Sequence, residues 1–84
     1  MDIQKLVFVK ELIQQQHDFV RHSSVDSYNK VAYGLFANDE FKDVILALFG
    51  SDFLRVSKNE FLADPKDYLL MQLEMMVNRI DREI

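Results

Sequence analysis

His17 and His22 are the two histidines of this chain and its first candidates for a metal ligand or a general base. Five residues apart on a helix, they diverge by about 140° and do not share an ion. His22 and Asp18, four apart, do share a face and could form an ion pair or half of a weak metal site. A site needs three or four converging ligands, so the pair implies no metal. Near a helix C-terminus, His22 more simply complements the helix dipole. Ser23 and Ser24 follow directly. Nucleophilic catalysis needs a base aligned beside the hydroxyl, neighbours in one turn rarely align that way, and both serines read better as helix caps. Carboxylates pair as Asp39 with Asp43 and as Asp67 with Glu74. Both pairs fall on strongly polar helix faces, which imply no acid–base role. There is no glycine-rich phosphate loop and no EF-hand spacing. These residues predict no enzyme, no cofactor and no metal.

The elements that carry these residues are helices. The chain has 84 residues, 49% of them hydrophobic, with Gly 2, Pro 1 and Cys 0. That length suits one domain over 1–84, and that apolar content excludes a disordered segment. Turns and hairpins use glycine and proline heavily, so their scarcity points to an all-α bundle of about four main helices. Disulfides, cysteine-ligated zinc and thiol catalysis are excluded, which fits a cytoplasmic protein. The opening MDIQKLVFVKELIQQQHDF begins with an acid, and Lys10 and Glu11 interrupt its apolar stretch, which reads against a secretory leader. No window approaches the roughly 18 apolar residues of a membrane span.

The first helix is expected over 3–21. Leu6, Val9, Ile13 and Val20 recur at helical spacing, with Leu12 and Phe19 widening the stripe. Ser23 and Asp26 have the spacing of a capping box, with Ser24 competing as cap, for a second helix over 25–36 striped by Val25, Tyr28, Ala32 and Leu35. Gly34 inside it either admits a close neighbour or marks an early end. Asn38 caps a third helix, in which Phe41, Val44, Ile45, Leu48 and Phe49 give the clearest amphipathic pattern, closed by Gly50. The stretch 51–64 reads either as a short hairpin or as two short helical turns. Ser57 and Glu60 form a possible capping box there, and this favours the turns as a short connection. Asp64 then caps a long last helix, with Pro65 at its first position.

On a wheel of 100° per residue, this last helix has two apolar faces. Leu69, Leu70, Leu73, Met76, Val77, Ile80 and Ile84 make a complete core face. Tyr68, Met71 and Met75 fall nearly opposite, bordered by Arg79 and Arg82. Either the helix is central and covered on both sides by its own chain, or the second strip docks a partner. Methionine suits adaptable contacts, and tyrosine and arginine are enriched at interface centres. A homodimer is the simplest form of that docking.

Charge narrows the partner. Ten basic residues are scattered among fourteen acidic ones for a net charge of −4, with no basic run. Nucleic-acid binding needs clustered Lys and Arg. A helix-turn-helix regulator, the alternative reading, would present Asp39, Glu40 and Asp43 to the DNA at the start of its recognition helix. The same three residues are a candidate contact for a basic protein, or simply a solvated helix start. The chain is therefore expected to be a small acidic protein-binding module: an inhibitor, an immunity or antitoxin-like protein, a chaperone or an adaptor.

Overall fold

In the computed structural model, residues 2–23, 32–61 and 65–84 are described. Among these residues four α-helices carry the architecture: α1 (Ile3–His22), α2 (Asp39–Phe49), α3 (Ser51–Glu60) and α4 (Lys66–Glu83). A 3-10 helix, Gly34–Ala37, precedes α2. The protein is an all-α bundle, 90% helical with no strand among the described residues. No helix there is long and apolar enough to cross a membrane.

α1 and α4 form the long antiparallel pair. Three polar contacts set their register. Lys10 pairs with Asp81 near one end, His17 meets Glu74 seven residues further along α1 and seven back along α4, and the Lys66 ammonium donates to the Ser23 carbonyl at the other end. Along α1 Leu6, Val9, Ile13 and Val20 are buried, and along α4 Leu69, Leu73, Met76 and Ile80, all in one core cluster. The α1 stripe is the expected one, except at its edge: Leu12 is half-buried and Phe19 is exposed. Phe19 lies about 100° from the centre of the buried arc, too far round the helix for α4 to reach. Asp2 caps α1 by accepting from the Gln4 amide at 2.9 Å.

The core face of α4 is narrower than expected. Leu70 and Val77 are half-buried and Ile84 is exposed beyond the helix end. Gln72 is buried in their place, and its side-chain amide donates to the Glu60 carboxylate at 3.2 Å. Pro65 holds the cap position itself, and helical geometry starts one residue later at Lys66. The expected cap Asp64 lies outside the described residues, as do Ser24, Val25, Asp26 and Tyr28 of the expected second helix.

Ala32 and Tyr33 are helical and run into the 3-10 helix, so Gly34 marks the early end. It is exposed, and a Cβ added there would meet nothing within 4 Å, which excludes close packing as its purpose. The 3-10 turn delivers Phe36 into the middle of the core. Its ring stands edge-on to Phe41 at 5.2 Å and to Phe61 at 5.0 Å, the geometry aromatic quadrupoles favour.

Asn38 caps α2 as expected, accepting from the Phe41 amide at 2.9 Å. Phe41, Val44 and Ile45 are fully buried, whereas Leu48 and Phe49 lie at the margin of the core. Gly50 follows with φ 94° and ψ 168°. That corner starts α3 at once, so 51–60 is one continuous ten-residue helix, neither a hairpin nor two turns. Ser57 is consequently not a cap. It sits inside α3, buried, and its carbonyl accepts from the Phe61 amide at 2.9 Å. Across the corner, Phe49 and Phe53 stack with ring centroids 4.4 Å apart.

Candidate functional site

The residues with chemical potential do not converge. His17 Nε2 lies 3.0 Å from a Glu74 oxygen, and Nδ1 lies 3.9 Å from Asp18. They line an open hollow between α1 and α4, but no group of three or more His, Asp or Glu among the described residues could hold a metal ion. His22 stays exposed at the end of α1. The His17–Glu74 contact joins residues 57 apart in the chain and was not anticipated. Its one signal in the sequence is angular: His17 stands only about 50° from the centre of the α1 stripe, close enough to meet the facing helix.

Asp39, Glu40 and Asp43 are all exposed at the start of α2, but lysines are interleaved with them. Asp43 takes Lys5 from α1 at 2.9 Å, and Asp39 takes Lys42 at 3.3 Å. The local field is therefore mixed, weaker than three uncompensated carboxylates would produce.

The second strip of α4 is at the surface. Tyr68 is 43% exposed, Met71 55% and Met75 42%, so their own chain covers them only in part. They form one side of a groove whose other side is α3 at the Tyr68 end and Phe49, at the end of α2, at the other. Two hollows of about 310 and 400 Å³ run along it, and Met71 and Met75 line both. At the Tyr68 end Phe53 and Val56 line it, the latter 45% exposed. At the other end Phe49 lies below Arg79 and Arg82. Arg79 is steadied by an ion pair with Glu83 one turn on, while Arg82 is exposed. The stacked Phe49–Phe53 pair makes the floor continuous, and Gln72 ties α4 to the end of α3 through Glu60, holding the walls in register.

Sequence reasoning found the α4 side of this groove and missed the α3 side. Read as part of a short connection, Phe53 and Val56 present no face. Within one helix they are three residues apart and look the same way. Other large apolar side chains are also exposed, notably Ile3 and Phe8 on α1, but they line none of these hollows.

In comparisons with protein-family models, curated proteins and solved structures, the chain matches none of them. The functional reading therefore rests on the groove itself.

Proposed function

We propose that the chain is a protein-binding module and that the α3–α4 groove is its docking face. The observation that carries this is the exposure of Val56, Tyr68, Met71 and Met75, each between 42% and 55%, along one groove over a stacked aromatic floor. Scattered exposed apolar residues are ordinary; a continuous apolar groove with a charged rim is characteristic of an interaction surface. Covering it removes apolar area from water at about 25 cal/mol per Å². The methionines suit it to an apolar helix, which docks residues at three- and four-residue spacing.

This reading includes the roles of inhibitor, antitoxin-like protein, chaperone and adaptor, all of which act through such a face. Nucleic acid is disfavoured by the net charge of −4. The mixed charge at Asp39, Glu40 and Asp43 makes that cluster a subsidiary contact at most.

A photo-crosslinking phenylalanine analogue placed at Met71 tests the reading in the source cells, with the same analogue at the exposed Glu11 as control. Irradiation should give a protein adduct from position 71, to another chain or to a second copy, that position 11 does not give. Equal or absent adducts at the two positions would remove the groove as a docking face.

A further inference from the structure

Resting on that docking face, we infer that its occupant is the α4 helix of a second copy of this chain, laid antiparallel to the first. The outer face of α4 repeats in steps of three and four: Tyr68, Met71, Met75, Asn78, Arg82. This is the alternation along which two helices interlock side chains in a seam. Its middle layers, Met71 and Met75, are apolar and exposed. On the side away from α1 its two ends differ in charge. Lys66 and Asp81 are turned to α1, where they meet the Ser23 carbonyl and Lys10, which leaves Asp67 in the first turn and, in the last turns, Arg79 paired with Glu83 and the exposed Arg82.

That asymmetry selects the orientation. A parallel copy would set Arg82 against its own equivalent and align the two helix dipoles. An antiparallel copy, related by a two-fold axis between Met71 and Met75, sets each Met71 against the other's Met75. It also carries each Arg82 toward the acidic end of the facing helix.

Shape points the same way, independently of charge. The same axis brings Tyr68 of the second copy opposite Asn78. Asn78 lines the hollow of about 400 Å³, whose floor includes Phe49 and Met75 and whose rim is Arg79 and Arg82. A phenol ring fits that space, and the guanidinium groups attract its face. By symmetry the contact forms twice. An unrelated helix would need an aromatic residue and an acidic end at this spacing; a second copy has both.

Light scattering on the full chain should give twice the 9.9 kDa chain mass at high micromolar concentration. Met71→Glu with Met75→Glu should give a monomer of unchanged helical circular dichroism. Should that variant unfold, Arg82→Glu, at an exposed position, should weaken dimerisation at least about tenfold. Orientation is read by disulfide trapping, since the chain has no cysteine. Tyr68→Cys mixed with Asn78→Cys should cross-link on oxidation, whereas neither alone should, because like positions then stand about 15 Å apart, beyond disulfide reach. A monomeric wild type at every concentration overturns the inference. So does a disulfide formed by Tyr68→Cys alone, or a dimer indifferent to the glutamates. A monomeric mass together with a position-71 adduct to a different chain overturns self-pairing and leaves the protein-binding reading standing.

Discussion

Gly50→Ala isolates what holds the α2–α3 corner, and with it the floor of the groove. Gly50 has φ 94° and ψ 168°, and it is the one residue with positive φ among those described. Side chains of L-residues are essentially excluded from that region, at a cost of about 1–3 kcal/mol. A Cβ added at Gly50 would meet nothing within 4 Å, so no packing clash contributes. Alanine also restricts the unfolded chain, which returns about 0.4–1 kcal/mol. The net loss should therefore lie between about 0 and 2.6 kcal/mol, read by urea denaturation, or a fall in Tm of up to about 20 °C for a domain this size. The D-enantiomer of alanine at position 50, introduced by chemical synthesis, supplies the control. It carries the same methyl group but prefers positive φ, and it should retain wild-type stability or exceed it. Equal stabilities for the two enantiomers, or a less stable D-alanine variant, would refute a corner set by backbone sign.

Gly34→Ala should act in the opposite direction, because its φ is not positive and its surroundings are open. A gain of about 0.4–1 kcal/mol in the same denaturation assay is expected. Ile45→Ala should cost about 2–5 kcal/mol as a fully buried truncation, whereas Leu48→Ala, at the margin of the core, should cost less than about 2 kcal/mol. Equal losses would mean that α2 is rotated from the orientation described.

How much of this was legible beforehand follows from what a helix is. Leu6, Val9, Ile13 and Val20 on α1, and Phe41, Val44 and Ile45 on α2, are buried as their spacing requires, because a helical period places a fixed set of residues on one face. The Asn38 cap and the helix end at Gly50 were equally readable, since both are settled within a few residues, although Gly50 takes ψ 168° rather than the left-handed closing geometry. So was the two-sided apolar character of the last helix.

What surrounds each face was not in the local pattern. Whether Tyr68, Met71 and Met75 would be covered depended on where α1, α2 and α3 pack, and they leave that strip in water. Phe36 and Phe61 meet in the core although 25 positions separate them in the sequence, and neither belongs to a readable stripe. The buried Ser57, the Gln72–Glu60 link and the His17–Glu74 contact arise the same way. Helical periodicity is a property of neighbouring backbone, fixed by hydrogen bonds four residues long. The choice between core, groove and open surface is made by side chains brought together from distant turns, and only the packed chain decides it.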